Sequence, residues 1–514
     1  MEKIKNEVWK KDFGEFKEKT DQFYAGELDK ASYKGFSGRF GSYAQKDGKA
    51  SMLRLRMAGG RLTKDKMKFI ADSIEKYKVN KVHFTTCQTI QLHNLRPEAI
   101  YGIMEGALDH DIVTMGGGGD FPRNVMVSPL SGVEKGEYFD VLPYAEAAGE
   151  YLMTFIPKKM MPRKLKVCFS NSPANKTHAT FRDLGFVARP DGLFDVYSAG
   201  GLGNNPRFGV KVAEAVEPSK ILYYICAMRE TFIAYGNYEQ RGKARTRYMQ
   251  ETLGEEGYKK AYLEKLDEVF ASGENLDLDI TAEEVKKQGD GSEVEDPRVI
   301  AQKQEGLYAV TYHPIGGCPA PEKLGEIYHV IQDMEDVEAR VAPDETMYII
   351  NLTGSEAKKV LEATSDGART LFETSVSCIG ASICQVGIRD SQALLHKCVE
   401  AVREAGIKDG ALPQIHISGC PSSCGTHQTG EIGFHGCVKV VDKVPHPAFT
   451  LHLNGCDLQG KERMGEKVGV LLEEDIPKFF VKLGKIVEDS GMDYKEWSQK
   501  YPDEIEKAAE EFIK

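Results

Sequence analysis

Cys378-Ile-Gly-Ala-Ser-Ile-Cys384 and Cys420-Pro-Ser-Ser-Cys424 place four cysteines in one part of this chain. Five residues separate the first two cysteines, thirty-five lie between the pairs, and three separate the last two. Iron–sulfur clusters are held by four cysteine thiolates, and small neighbouring residues let the backbone approach the sulfur atoms. Zinc sites usually space paired cysteines by about two to four residues, so the first gap fits zinc poorly. The spacing therefore favours an iron–sulfur cluster, with zinc, disulfides and inert core thiols as alternatives.

The size and charge of the chain restrict its class. At 514 residues the chain is too long for a single core, and about two to four domains are expected. A formal net charge of −11 argues against nucleic acid as the main partner. No apolar run approaches the roughly 20 residues that span a bilayer, and the charged stretch Met1–Trp9 lacks the apolar core of a signal peptide. We therefore expect a cytoplasmic protein with no membrane partner, whose eleven cysteines are not a disulfide framework.

A unit of strand, turn and helix is predicted twice, at an offset of 257 residues. Gly59-Gly60 falls on Gly316-Gly317, and Asn94-Leu95 falls on Asn351-Leu352. The apolar positions of the intervening helices also align without a gap. Met67, Ile70, Ala71 and Ile74 of the first helix correspond, in that order, to Leu324, Ile327, Tyr328 and Ile331 of the second. Two unrelated α/β units are the alternative, but an ungapped match of turns, helix and strand favours a duplication.

Two pairs of basic residues alternate with apolar residues along predicted strands. Arg54 and Arg56 form the first pair, and Lys164 and Lys166 form the second. Because alternate residues of a strand share a face, each pair directs two cations to one side. A bound anion would gain roughly 4 kcal/mol per contact at about 4 Å and an effective dielectric constant near 20, before desolvation. From the residues alone, a solvated outer face is the commoner interpretation.

The cysteine pattern resembles that of a known family. Cys-x5-Cys followed by Gly-Cys-Pro-x-x-Cys is similar to the signature of the nitrite and sulfite reductases that couple a 4Fe–4S cluster to sirohaem. The resemblance extends from about Gly41 to about Cys437. It implies that the cluster is held by four thiolates, those of Cys378, Cys384, Cys420 and Cys424. It further implies that Cys424 bridges the cluster to the haem iron.

The family resemblance also implies a fold. The expected class is α+β with duplicated halves, each a ferredoxin-like half-domain followed by a larger α/β sirohaem-binding domain. The boundaries expected from the sequence are an N-terminal arm over 1–40, a first half-domain over 41–115, a first sirohaem-binding domain over 116–271, an acidic linker over 272–304, a second half-domain over 305–368, and a second sirohaem and 4Fe–4S domain with C-terminal helices over 369–514.

Three motifs resemble the anion-binding motifs of these reductases. They are Arg-x-Arg before Gly59-Gly60, the stretch Pro-Arg-Asn-Val, and the stretch Pro-Arg-Lys-x-Lys. The resemblance implies that the open face of the sirohaem is surrounded by Arg54, Arg123, Lys164 and Lys166. These cations would hold a small oxyanion, and the lysines would supply protons as its oxygens leave as water.

Sirohaem carries many carboxylates, so its pocket must be rich in donors and cations. The candidates are Arg56, Thr85, Thr86, Gln88, Gln91, Gly201, Gly203, Arg241, Lys243 and Arg245. For the basic stretch Arg241–Arg247, a solvated helix face is an equally good alternative. Two positions depart from the family pattern. Cys87 stands where the family usually has an arginine, and Ser422 stands where it commonly has an asparagine.

The implied reaction is the six-electron reduction of sulfite to sulfide, with nitrite reduction to ammonia as the alternative. Members resembling sulfite reductases keep lysine at both positions of the Lys-x-Lys pair, whereas plant-type nitrite reductases often have asparagine at the second position. Because Lys166 occupies that second position, the pair favours sulfite. No Gly-x-Gly-x-x-Gly follows a strand in a βαβ unit, so electrons are expected from a partner, and ferredoxin is the family's usual donor. A cluster-only electron carrier or a zinc-stabilised binding protein is the non-enzyme alternative. His416 and His427 flank the second cysteine pair as candidate neighbours of the cluster, although satisfied structural histidines are commoner.

Overall fold

The computed structural model describes residues 6–156 and 161–513. The predicted N-terminal arm consists of two helices, α1 (Asn6–Tyr24) and α2 (Lys30–Ser37), and residues 1–5 of that prediction lie outside the described residues. Trp9 and Phe16 of α1 are only 2% and 1% exposed, because α1 packs against the core of the half-domains. No helix among the described residues is both long and apolar enough to cross a membrane.

The first half begins with an antiparallel four-stranded sheet in the order β1-β2-β5-β4. The elements are β1 (Ser42–Ala44), β2 (Ser51–Arg56), β3 (Arg61–Leu62), α3 (Lys64–Tyr77), β4 (Lys81–Phe84), β5 (Thr89–Leu95) and α4 (Pro97–Ala107). Leu53 and Leu55 of β2 are fully buried, as their alternation predicted. Helix α3 begins after Thr63, whose side chain accepts a hydrogen bond from the Lys66 N–H and so satisfies one of its free donors.

A five-stranded sheet in the order β10-β9-β8-β7-β6 follows. Its elements are β6 (Met126–Val127), α5 (Leu142–Met153), β7 (Val167–Ser170), β8 (Leu184–Ala188), β9 (Phe194–Ser198), β10 (Val210–Val216), α6 (Ile221–Tyr235) and α7 (Tyr248–Ala271). Lys164 and Lys166 lie just before β7 rather than inside a regular strand. Leu165 between them is fully buried and forms a single parallel bridge with Pro122. The alternation therefore holds locally, with both lysines more exposed than Leu165.

The second half repeats this plan. Its first sheet contains β11 (Val299–Ala301), β12 (Tyr308–Tyr312), β13 (Glu338–Val341) and β14 (Met347–Leu352), with helices α8 (Lys323–Ile331) and α9 (Gly354–Ala363). Its second sheet contains β15 (Val376–Ser377), β16 (Ile415–Ser418), β17 (Ile432–Val441), β18 (Val444–Leu453) and β19 (Glu466–Leu472), with helices α10 (Ser391–Glu404), α11 (Ile476–Asp489), α12 (Tyr494–Lys500) and α13 (Glu504–Glu510). This sheet has the order β15-β16-β17-β18-β19, with two parallel and then two antiparallel pairings, as in the sheet of β6 to β10. The predicted duplication is confirmed at the level of topology.

Individual hydrogen bonds also recur at the predicted offset of 257 residues. Gln45 and Asn94 exchange two bonds, at 2.8 Å between Nε2 and Oδ1 and 2.7 Å between the Asn94 N–H and Oε1. Gln302 and Asn351 exchange the same two bonds, at 3.0 and 2.7 Å. Both asparagines have a positive φ, 60° and 63°, a conformation that asparagine tolerates better than most residues. Strand β11 is the counterpart of β1 and falls inside the range predicted as linker.

The two half-domains share one hydrophobic core. It contains Met67 and Ile70 of α3 together with Leu324 and Ile327 of α8, the positions that the helical spacing predicted. The short strand β3 of the first half pairs with β13 of the second half, which extends the second sheet to five strands. The halves are therefore joined by both apolar packing and backbone hydrogen bonds, and this places their larger sheets beside each other.

Candidate active site

The four signature cysteines follow neighbouring parallel strands. Cys378 comes directly after β15, and Cys420 comes two residues after β16. Because β15 and β16 are parallel, their carboxyl ends meet at the same edge of the sheet. All four cysteines are free thiols, so the disulfide alternative is not supported.

The Cys424 thiol interacts electrostatically with those of Cys378, Cys384 and Cys420. Cys424 is exposed as a residue, but desolvation of its sulfur raises its pKa, and Cys420 and Cys384 raise it further. Burial likewise raises the pKa of Cys378 to about 12, with Cys424 as the next cause. The Gly419 N–H donates to Cys378 Sγ at 3.1 Å, a type of contact that stabilises a thiolate ligand. The residues of two distant loops are thus brought together.

The loops that carry the cysteines are packed too tightly for side chains at two glycines. A Cβ at Gly425 would lie 2.1 Å from the Ile417 carbonyl oxygen. A Cβ at Gly380 would lie 2.6 Å from Asp390 Oδ1, and Gly380 also has a φ of 76°. Glycine is required at both positions, because any other residue would displace the neighbouring cysteine.

A group of cations lies beside Cys424. Both Lys164 and Lys166 act electrostatically on the Cys424 thiol, and Arg123 and Arg245 act on Lys164. Burial lowers the pKa of Lys164 well below its usual value, and Arg245, Lys166 and Arg123 lower it further. Within residues 6–156 and 161–513, no carboxylate forms an ion pair with either lysine. The recess beside Cys424 therefore gathers several cationic side chains, and a bound anion would favour their charged forms.

The guanidinium of Arg123 is held by backbone oxygens rather than by an acid. It donates to the carbonyl groups of Gly116, Gly118, Gly119 and Phe121, at distances from 2.8 to 3.1 Å. These bonds fix its orientation without neutralising its charge. Arg54 of β2 lies nearby, donates to the Gly117 carbonyl, and contacts the Gln91 amide oxygen at 3.2 Å. The structure thus brings together all four residues predicted to hold the oxyanion.

Several buried arginine donors lack a partner, which provides a test of whether sirohaem fits. Among the described residues, the unpaired buried donors include Arg56 Nε, Arg207 Nε, Arg245 Nε and Arg247 Nη1. Arg56 is 6% exposed, and burial together with Arg123 and Arg54 lowers its pKa to about 9. Uncompensated buried donors are costly, and a cofactor with many carboxylates would satisfy them. The donor set therefore fits a polyanionic tetrapyrrole beside the four thiols.

Three residues predicted to bind the cofactor have partners within the protein. Both N–H groups of the Gln88 amide donate to the carbonyls of Gly59 and Val341, at 3.1 and 2.8 Å, so Gln88 joins the halves. Arg241 is 64% exposed and pairs with Asp120. Lys243 is 52% exposed and pairs with Glu251. For these two residues, cofactor binding and a solvated face both stay predictions.

The remaining predicted contacts lie on the loops that surround the cysteines. Thr86 Oγ1 donates to the Cys424 carbonyl at 2.8 Å and so ties the first half to the cysteine loop. Thr85 instead hydrogen-bonds Thr89 at 2.7 Å within its own turn. Gly203 exchanges two bonds with the Gln428 amide, at 2.7 and 3.0 Å. Gly201 has a φ of 154° and lies on the same loop.

Sequence reasoning missed Asp183, which organises the cationic group. Its carboxylate is fully buried and accepts from the Lys166 N–H at 2.8 Å and from Arg245 Nη2 at 3.0 Å. Burial opposes the charge of Asp183, but Arg245 keeps its pKa below the usual value, so it stays ionised. Asp183 therefore positions two predicted site residues. Its only sequence signal is an acid directly before the buried strand β8.

Cys87 is expected to be a reactive thiol. Burial alone would raise its pKa, but Lys166, Arg182 and Arg54 lower it to about 6. Alkylation requires the thiolate, so the rate of iodoacetamide labelling at Cys87 should rise through pH 6 and level off by about pH 7. Mass spectrometry of the labelled protein measures this. Cys226 is the control. Burial raises the pKa of its thiol, so its labelling rate should still be rising at pH values well above 7. A midpoint for Cys87 above about pH 8 would contradict this electrostatic environment.

Two family models match the first half of the chain. The nitrite and sulphite reductase 4Fe-4S domain matches residues 118–270, and the nitrite/sulfite reductase ferredoxin-like half domain matches residues 43–110. The chloroplastic ferredoxin–nitrite reductase of Betula pendula is 26% identical over 409 residues, which cover 75% of this chain and 68% of that protein. The protein named sulfite reductase (ferredoxin) 1 of Mycolicibacterium paratuberculosis is 24% identical over 427 residues, covering 80% and 74%.

One solved structure has the same fold over nearly the whole chain. The Mycobacterium tuberculosis NirA protein superposes with a TM-score of 0.75 at 21% identity, and the match covers 90% of this chain and 89% of that one. This agreement extends to the second half, which contains the four cysteines and which neither family model reaches. The fold that this chain shares with NirA therefore includes both of the duplicated halves.

Proposed function

Because this chain belongs to the nitrite and sulfite reductase family, whose members are oxidoreductases carrying sirohaem and a 4Fe–4S cluster, we propose that it reduces sulfite to sulfide. The observation that supports this choice is the second lysine of the Lys164–Lys166 pair. No carboxylate of the described residues forms an ion pair with either ammonium group, and both act on the Cys424 thiol, while Lys166 also faces the acidic thiol of Cys87. A doubly charged oxyanion gains more from the additional cation than nitrite does.

The proposed cluster ligands are Cys378, Cys384, Cys420 and Cys424. When bound, the cluster and sirohaem would pass the six electrons of the reduction from the donor to the substrate and would supply an iron atom that binds it. The unpaired donors of Arg56, Arg245 and Arg247 would hold the carboxylates of the tetrapyrrole. A ferredoxin is the proposed electron donor, since the relatives described above are named as ferredoxin-dependent enzymes.

The proposed roles of the basic residues follow from their charge states. Burial lowers the pKa of Arg123 only to about 10, so Arg123 stays charged at neutral pH. Arg54 and Arg123 would orient the oxyanion through guanidinium groups that backbone carbonyls hold in place. The lowered pKa of Lys164 makes its ammonium group a better acid than an ordinary lysine, and a bound anion would restore its charge. Lys164 is therefore placed to donate a proton to a departing substrate oxygen, and Lys166 to hold the anion during that transfer.

Nitrite is the second candidate substrate. It is favoured by the Betula pendula relative, which is named a nitrite reductase and matches 75% of this chain. Nitrite carries one negative charge and needs fewer cations than sulfite. A comparison of kcat/KM for the two anions, with reduced viologen or ferredoxin as donor, distinguishes them. A higher kcat/KM for nitrite would overturn the proposed choice of sulfite.

Replacing Lys166 by asparagine tests what determines this preference. We expect Lys166→Asn to lower kcat/KM for sulfite by roughly 10²-fold and for nitrite by less than about 10-fold, because one removed cation costs the dianion more. Steady-state kinetics on both anions measure the ratio. Lys176→Asn is the matched control, since Lys176 is an exposed lysine of the same domain and should leave the ratio unchanged. Equal losses on both anions would show that Lys166 does not discriminate between them.

A further inference from the structure

Three histidines converge on one face of the sheet that carries the second cysteine pair. His435 lies on β17, and His452 lies on β18. In the register of these strands His435 is opposite Thr450 and His452 is opposite Gly433, so the two imidazoles are diagonal neighbours on the same face. His427 reaches them from the loop that follows Cys424. All three are buried, with exposures of 1% for His427, 7% for His435 and 2% for His452.

The ring nitrogens of these histidines face one another. One nitrogen of each residue lies within 4.8 Å of the other two, and no other group of three or more His, Cys, Asp or Glu among the described residues converges so closely. His435 Nδ1 and His452 Nε2 are 2.8 Å apart. Nδ1 of His427 is buried without a hydrogen-bond partner. Three imidazoles that share at most one hydrogen bond between them form an incomplete hydrogen-bond network.

The surroundings keep the imidazoles in the form that binds metals. Nδ1 of His452 lies 3.4 Å from the Gly465 carbonyl oxygen, and a proton held there leaves the lone pair on Nε2, which faces His435. Metal-binding histidines are commonly oriented by such a carbonyl.

The charged groups near the three histidines permit a divalent ion. Lys467, opposite His452 across β18 and β19, is the cation that acts on all three imidazoles, and it is exposed, so its ammonium group can turn towards water. His416 also acts on His427, but its Nδ1 is occupied by Thr426 Oγ1 at 2.8 Å. No carboxylate of the described residues belongs to the group, so the donors are three imidazole nitrogens.

We propose that His427, His435 and His452 form a second metal site, which binds one divalent transition-metal ion of the Zn²⁺ type through three imidazole nitrogens. Three histidines leave room for a fourth ligand, and imidazole suits zinc, copper, nickel and iron. An ion bound there connects the loop after Cys424 to strands β17 and β18. Its role is structural, because it fixes the loop that carries the second cysteine pair.

Zinc is the probe for this site. The purified protein with its cofactors is dialysed against Zn²⁺ and then against buffer without metal, and its zinc content is measured. We expect about one zinc ion per chain, with X-ray absorption at the zinc edge showing nitrogen ligands at about 2.0 Å. Sulfur ligands at about 2.3 Å, or no retained zinc, would overturn the proposal. This measurement needs no variant and no activity assay.

Variants locate the ion. His435→Gln and His452→Gln should each reduce the retained zinc at least tenfold, since each removes one of three ligands. His446→Gln is the matched control, because His446 lies on β18 outside the group and is only half-buried. Unchanged zinc retention in His435→Gln would overturn the proposal. The visible spectrum of each variant reports whether the cysteine loops still hold their cofactors, which is separate from zinc binding and from the proposed substrate.

Discussion

Cys424→Ser is expected to lower reductase activity by at least about 100-fold. Removing even a residue that only hydrogen-bonds a metal ligand typically costs about 10- to 100-fold in metal affinity or activity, and Cys424 is a proposed ligand itself. The Cys424 thiol interacts electrostatically with Cys384 and Cys420 and with Lys164 and Lys166, so the proposed cluster and the anion recess meet near this residue. A serine hydroxyl is a poor ligand for an iron–sulfur cluster. The measurements are viologen-dependent reduction of sulfite and the iron content of the purified variant.

Cys226→Ser is the matched control for this substitution. Cys226 is a half-buried thiol on α6, in the core of the first larger domain, and it is not one of the signature cysteines. We expect Cys226→Ser to retain nearly full activity and iron. A Cys424→Ser variant that kept more than about a tenth of the activity, with the wild-type visible spectrum, would rule out Cys424 as a ligand.

Lys164→Gln is expected to lower kcat/KM by roughly 10²- to 10³-fold, the usual effect of removing one donor that stabilises developing charge. The same substitution should raise the midpoint of thermal unfolding. Burial and three neighbouring cations oppose the charge of Lys164 in the folded protein, so removing the charge relieves that repulsion. Kinetics on sulfite and a thermal melt test the two effects on one variant.

Arg163→Gln is the control for Lys164→Gln. Arg163 is the adjacent residue, is 30% exposed and pairs with Asp120 at 3.0 Å, so it belongs to the surface rather than to the recess. We expect a change in kcat/KM of less than about threefold for this variant, in line with the small effect of partly exposed ion pairs. A Lys164→Gln enzyme with normal kcat/KM would contradict the proposed role of the lysine.

Local patterns in the sequence predicted the framework well. The duplication followed from turns and helix spacing that recur at a fixed offset, and the structure adds Gln45 and Gln302 to the same repeat. The cysteine spacing indicated one metal centre, because each pair comes from a short segment. Buried positions of β2 and α3 followed from their periods of about 2 and 3.6 residues. These features depend on neighbours along the chain, which one sequence displays.

The missed features depend on contacts between distant segments. Gln428 bonds Gly203 across 225 residues, and Asp183 binds Arg245 across 62, so neither pairing leaves a pattern in one sequence. The hydrogen bond of Gln88 was missed for the same reason, since its partner Val341 belongs to the other half. The three-histidine group likewise depends on the register of β17 and β18, which the sequence does not display.

The visible absorption spectrum of the purified protein, taken with its iron and sulfide content, tests the coupled centre most directly. We expect a haem-like spectrum with about five iron atoms and about four acid-labile sulfides per chain, from one cluster and one tetrapyrrole iron. A broad brown shoulder without haem-like bands would indicate a cluster alone, and a colourless protein containing zinc at the cysteines would indicate a zinc site. Either result would contradict the account.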